Sequence, residues 1–172
     1  MDVRPAYFAL SFAPSLDFVS DVRRFVNVFY ERALGPNQDE ATKISLATHE
    51  LLENAIQYCA EDLVTLRVSI NPLTNCQIVN IRTQNRAKEI HAARLREIVR
   101  KIRANSDAES FYRQEMTAAV NRGDKESGLG LPRLYAEAGF DLSCEVRATE
   151  VTVCATLRVM EVAAVAPQTS AA

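Results

Sequence analysis

Along Tyr7–Phe12 hydrophobic and polar positions alternate, with Phe8, Leu10 and Phe12 on one side, which predicts a half-buried strand. Pro14-Ser15 ends it, and Ser15 or Asp17 is placed to cap a helix. Phe18, Val22, Phe25, Val26, Phe29 and Ala33 then recur at helical spacing, so residues 15–34 read as a helix with that stripe inward, stopped by Gly35-Pro36. A second helix, from about Asp39 to Cys59, gathers Ile44, Ala47, Leu51, Leu52, Ala55, Tyr58 and Cys59 into one arc. Thr48 is the one polar residue inside that arc, and Lys43, His49, Glu50, Glu53, Asn54 and Gln57 fill most of the other side.

Two strands follow. Val64, Leu66, Val68 and Ile70 share one face of the first, and Val79 and Ile81 one face of the second, Cys76–Thr83, where Thr83 ends that face. The short, Asn- and Pro-containing connection at 71–75 makes them an antiparallel hairpin. From about 86 to 120 the period turns helical again, with Ile90, Leu95, Ile98, Val99 and Ile102 as a stripe and a second short helix after Asn105-Ser106-Asp107. Asn121–Ser127 reads as a polar loop. A helix over 130–138 follows, with Pro132 tolerated in its first turn and Gly139 as its terminator. Phe140, Leu142, Cys144 and Val146, then Val151, Val153, Ala155, Leu157 and Val159, alternate as a closing hairpin. Helices grouped between antiparallel strands predict an α/β fold, a two-layer sandwich with a mostly antiparallel sheet covered on one face by helices. Residues 1–160 form one domain with a helical insert at about 86–120, and 161–172 read as a flexible tail. Phe18, Phe25, Phe29, Leu51, Leu66, Ile81 and Val153 are expected to point inward.

Composition narrows the class. A chain of 172 residues with 48% hydrophobic and 24% charged positions reads as one globular domain with a real core. No apolar run approaches the roughly 20 residues of a membrane span, and the first residues resemble no export signal. Cys59, Cys76, Cys144 and Cys154 are scattered among apolar neighbours, as small hydrophobes of a reducing compartment would be, so the chain is read as cytoplasmic. A net charge of −2 argues against nucleic acid as a partner. Charge is nevertheless uneven: residues 82–103 hold eight Lys/Arg against Glu89 and Glu97, a net of +6. A solvated helix face explains this most simply, and attraction for phosphate or an acidic partner is the functional reading.

Two stretches carry candidate chemistry. Glu50 and Asn54 stand one turn apart on the second helix, and a carboxylate beside a carboxamide can hold a hydrated divalent cation or orient a nucleophile. The plainer reading is an amphipathic helix whose solvated face carries them, since this spacing is common. The second stretch is Gly128-Leu129-Gly130-Leu131, where a Gly-x-Gly before a helix lets backbone N–H groups approach phosphate. No third glycine or Gly-Lys-Ser/Thr follows, so it is neither a dinucleotide fingerprint nor a Walker loop, and a turn plus helix start explains it as well.

In order and spacing, Glu50-x-x-x-Asn54, the hairpin, the helical insert and Gly-Leu-Gly-Leu before a short helix resemble the GHKL (histidine-kinase-like) ATPase superfamily. Within it the chain looks closest to the anti-sigma-factor serine kinases, over roughly residues 6–159. The resemblance implies ATP and Mg²⁺ as cofactors, Glu50 as catalytic base, Asn54 as Mg²⁺ ligand, and Gly128, Gly130 and Leu131 beside the triphosphate. It implies a regulatory protein as partner (a sigma factor, an antagonist or another signalling protein), no membrane, and room for a homodimer.

The family's first glycine box, Asp-x-Gly-x-Gly, is absent. Thr83-Gln84-Asn85-Arg86-Ala87 stands in its place, with Thr83 at the position whose Asp accepts the adenine amino group. Replacing an ionised acceptor by a hydroxyl costs about 1–2 kcal/mol of that contact. The sequence therefore reads as a degenerate module that acts mainly by binding protein, with weak or no ATP turnover. The alternative is an active ATP- and Mg²⁺-dependent serine kinase that phosphorylates an antagonist.

Overall fold

The computed structural model describes residues 5–35, 38–122 and 128–160. The expected tail at 161–172 and most of the expected loop at 121–127 lie outside them. Among the described residues the chain runs β1 (Ala6–Phe12), α1 (Leu16–Leu34), α2 (Gln38–Gln57), β2 (Val64–Pro72), β3 (Cys76–Arg86), α3 (Glu89–Ala104), α4 (Ala108–Arg122), α5 (Gly130–Ala138), β4 (Asp141–Arg147) and β5 (Glu150–Met160). The five strands form one sheet in the order β1-β2-β3-β5-β4, and every pairing is antiparallel. The insert is ordered as two helices, and α4 continues through Asn121, which the sequence assigned to a loop.

Local signals explain the boundaries. Ser15 accepts from the Asp17 N–H at 3.3 Å at the start of α1, and the Asp107 carboxylate accepts from the Ser110 N–H at 2.9 Å at the start of α4. Gly139 ends α5 in the left-handed region at φ 70°, while the Phe140 N–H returns to the Leu134 carbonyl at 3.2 Å.

Every second residue of β2, β3 and β5 turns into the core, where Leu66, Ile81 and Val153 are buried with Leu51 of α2. Helix α2 lies across β2, β3 and β5, α1 packs on α2, and α3 and α5 cover β4. The α1 stripe is rotated from the expected one. Val19, Val22, Val26, Tyr30 and Leu34 are buried, Phe29 is half-buried, and Phe18 and Phe25 are 49% and 47% exposed. The phenylalanines instead flank the edge strand: Phe25 meets Phe8 edge-on at 5.0 Å, and Phe18 leans on Phe12 at 5.8 Å. Thr48, the polar residue in the α2 arc, is buried but satisfied. It donates to the Ile44 carbonyl at 2.8 Å and accepts from the Tyr30 hydroxyl at 2.9 Å. Burial holds that phenol well above its ordinary pKa, so it stays a donor.

Candidate functional site

Helix α2 presents Glu50 and Asn54 toward the start of α5. The Glu50 side chain is only 16% exposed, and its Oε1 accepts from Arg133 Nη2 in an ion pair that ties the two helices. Gly130 fits tightly against the same carboxylate. A Cβ there would collide with Glu50 Oε2, and would stand 3.4 Å from its Cδ and 3.7 Å from Asn54 Nδ2. Gly128 has φ +59°, a conformation that favours glycine, and Arg94 Nη2 from α3 would be 3.3 Å from its Cβ. The two sequence stretches singled out for chemistry therefore meet, at α2 and the α5 N-terminus.

Their surroundings divide the candidate residues among three spaces. Asn54, Gly128, Gly130 and Leu131 border a cavity of about 410 Å³, with Arg94 and the Tyr58–His91 ring pair on its wall. Those two rings lie 4.9 Å apart. Lys101 of α3 and Glu115 of α4, 3.6 Å apart, form another part of the rim. Glu50 borders neither this cavity nor the next. It faces a groove of about 550 Å³ on the α1 side, beside Arg23, Asn27, Ser45, His49 and Arg133. His49 Nε2 approaches Glu53 at 3.3 Å, while its Nδ1 and Arg133 Nε are buried without a partner among the described residues.

Thr83 occupies the third space. It is 2% exposed and borders only about 20 Å³, closed in by Leu51, Ala55, Leu95, Val151 and Val153. That is room for about one water, against the roughly 300–1,000 Å³ of a small-molecule site. The cause is local. Thr83 was expected to end its face, but β3 runs on to Arg86, and Asn85 and Ala87 are buried as well. Pairing with β5 continues through Arg86↔Glu150, and the Ala87 N–H donates to the Thr149 carbonyl at 2.9 Å. With no glycine at 83–87 the backbone stays in the sheet, and α3 closes over it with His91, Ala92 and Leu95.

An adenine ring beside Thr83 does not fit these residues as they stand. A divalent cation would have the Asn54 carboxamide but not a free Glu50, because that carboxylate is held by Arg133. Among the described residues no group of three or more His, Cys, Asp and Glu could hold a metal ion. Sequence reasoning missed Arg133, Arg94 and His91. Arg133 was the most legible of them, as the one charge inside Leu129–Tyr135. No protein-family model matches this chain, and no curated protein matches it at a significant level. Among the described residues no helix is long and apolar enough to cross a membrane.

Proposed function

We propose that this chain is a GHKL-like signalling module of the cytoplasm that works mainly by binding a regulatory protein, with weak or no ATP turnover. The observation that carries this reading is the closed space at Thr83, where β3 continues as strand through the stretch in which the resemblance expects a glycine loop. The meeting of Glu50, Asn54 and Gly130 supports the GHKL part of the reading. The ion pair to Arg133 supports the degenerate part, since a carboxylate engaged by a guanidinium and wedged against Gly130 is poorly free to take a proton from a hydroxyl.

For the partner, helix α3 carries Arg96, Arg100 and Arg103 exposed on its surface, with Lys88 exposed at its N-cap, a face suited to an acidic regulatory protein. Arg100 is matched by Glu97 at 2.7 Å, which leaves Lys88, Arg96 and Arg103 as the stronger attraction. Calorimetric titration with ATP and Mg²⁺ tests the reading. No saturable heat is expected up to millimolar nucleotide, and binding at micromolar levels would overturn it.

One observation favours the second reading, an active serine kinase. The cavity of about 410 Å³ brings Asn54, Gly128, Gly130 and Leu131 together with Arg94, which suits a polyphosphate. Transfer of labelled γ-phosphate to a partner serine, lost in Asn54→Ala, is the result that would select it.

A further inference from the structure

The face of the sheet turned away from the helices carries a charge arrangement that the fold itself does not use. On β2 this face shows Thr65, Arg67 and Ser69; on β3, Asn80, Arg82 and Gln84; on β5, Thr152, Cys154, Thr156 and Arg158. None of these residues is buried. Arg67 and Arg82 are direct cross-strand partners, and Arg82 in turn pairs in register with Cys154. Like charges directly opposite each other on neighbouring strands destabilise a sheet. The pair is also uncompensated, because Arg67, Arg82 and Arg158 form no ion pair among the described residues. Arg82 is positioned by a hydrogen bond from its Nε to Cys154 Sγ at 3.2 Å.

Around the arginines the face is mainly hydroxyls and amides, in which Ser11 bonds Thr65 at 3.0 Å and Thr156 donates to Asn80 at 3.0 Å, with the apolar Ala9, Ile78 and Met160 toward its sides. Its acids lie at the margins: Asp141 and Glu145 on the β4 edge, where Arg147 takes Glu145 at 2.7 Å, and Glu150 at the end of β5. An exposed arginine pair with hydroxyls and amides beside it is complementary to carboxylates. Single-stranded nucleic acid would want stacking platforms, and among the described residues the only aromatic on this face is Tyr7 at the β1 edge.

We propose that this open face is a docking surface for an extended acidic protein segment whose carboxylates bridge Arg67 and Arg82. A bound carboxylate pair relieves the repulsion that the free protein carries, and the flanking Ser, Thr and Asn side chains supply further hydrogen bonds. The surface is separate from the basic face of α3 and does not depend on the nucleotide reading. It also divides the +6 run of the sequence: Arg82 belongs to the sheet, Arg86 is held by Glu61 at 2.9 Å, and only the remainder lies on α3 or, for Lys88, at its N-cap.

The test is fluorescence anisotropy of a labelled peptide of alternating Glu and Thr, titrated with the full chain at about 0.15 M salt, where distant charges are screened. Arg67→Thr and Arg82→Thr should each weaken binding about three- to fivefold, and the double variant about tenfold or more. Each should melt at or above the temperature of the parent protein, because a like-charge pair has been removed. Arg113→Ser, which removes an exposed cation of α4 already paired with Glu109, should bind the peptide as before. Undiminished binding by the Arg67→Thr/Arg82→Thr double variant, equal loss in Arg113→Ser, no binding by the parent, or tighter binding of an oligothymidylate would each overturn the proposal.

Discussion

Thr83→Asp asks most directly whether the space in front of β3 is closed. Thr83 is 2% exposed, and the walls around it are Leu51, Ala55, Leu95, Val151 and Val153, with His91 and two asparagine amides at the margin. With about 20 Å³ available, an introduced carboxylate gains no solvation shell. Burial disfavours the charged form, so the folded-state pKa of the new Asp rises above its unfolded value of about 3.9. A rise of two to three pKa units corresponds to about 3–4 kcal/mol at pH 7, a large part of a typical stability of about 5–15 kcal/mol. The sign follows from linkage. The folded state retains the proton that the unfolded state gives up. The penalty is therefore nearly absent below about pH 4 and grows as pH rises toward the folded-state pKa. Urea unfolding followed by circular dichroism at pH 4 and pH 7 should show the variant near the parent at the lower pH and strongly destabilised at the higher. ATP with Mg²⁺ should protect neither protein. The opposite result would refute the reasoning: a variant as stable as the parent at pH 7, and further stabilised by nucleotide. The space would then open on demand, and the new carboxylate would tighten ATP binding by roughly ten- to a hundredfold through a charge-assisted hydrogen bond.

Arg133→Met should cost about 1–3 kcal/mol in chemical unfolding by leaving Glu50 unpaired in a largely buried site, and adding Glu50→Gln should recover part of it in a double-mutant cycle. On α1, Val26→Ala should cost about 2–3 kcal/mol and Phe18→Ala less than about 1 kcal/mol, because Val26 is 1% exposed while Phe18 is 49% exposed. The reverse order would return the inward stripe to the phenylalanines. Burial pushes the Cys144 thiol up to about 11 from 9.0, so native-state alkylation followed by mass spectrometry should still accelerate above pH 9. The matching stability contribution is whole below about pH 9 and is lost as pH rises toward 11.

The strands were legible because each buries one face against the helices, and period-two alternation survives wherever one side of a sheet is covered. Boundaries set by capping were also legible, as at Ser15, Asp107 and Gly139. Helix α1 misled because hydrophobicity alone does not separate a core from an edge. Its arc includes both the buried Val19–Leu34 stripe and the phenylalanines that flank β1, and the larger residues drew the stripe off phase. The hydroxyl of Tyr30 hid a fully buried residue, whose partner Thr48 lies on another helix. The end of β3 was placed early, at Thr83, because Gln84-Asn85-Arg86 continues the alternation with no apolar residue, although it also carries no glycine to leave the sheet. Pairing of Arg67 with Arg82 is invisible in sequence, since 15 positions separate them and only the register Val64↔Asn85 through Pro72↔Gln77 sets them side by side.

The glycines at 128 and 130 have an account in this fold that does not require phosphate. Gly128 takes a positive φ at the turn into α5, and Gly130 makes room for a carboxylate from α2. Arg133, projecting from the first turns of α5, is in turn the partner that this carboxylate, only 16% exposed, requires. Glu50, Gly130 and Arg133 thus form one packing unit, in which the glycine permits the approach and the ion pair fixes its direction. Asn54 touches that unit only at Gly130, its Nδ2 standing 3.7 Å from where a Cβ there would be. Its carboxamide borders both the cavity of about 410 Å³ and the closed space at Thr83, without sharing in the ion pair. Packing explains Glu50 and the glycines in this fold, and it leaves Asn54 unexplained. Among the candidate residues it is therefore Asn54, facing both spaces, whose substitution separates a structural motif from a binding one.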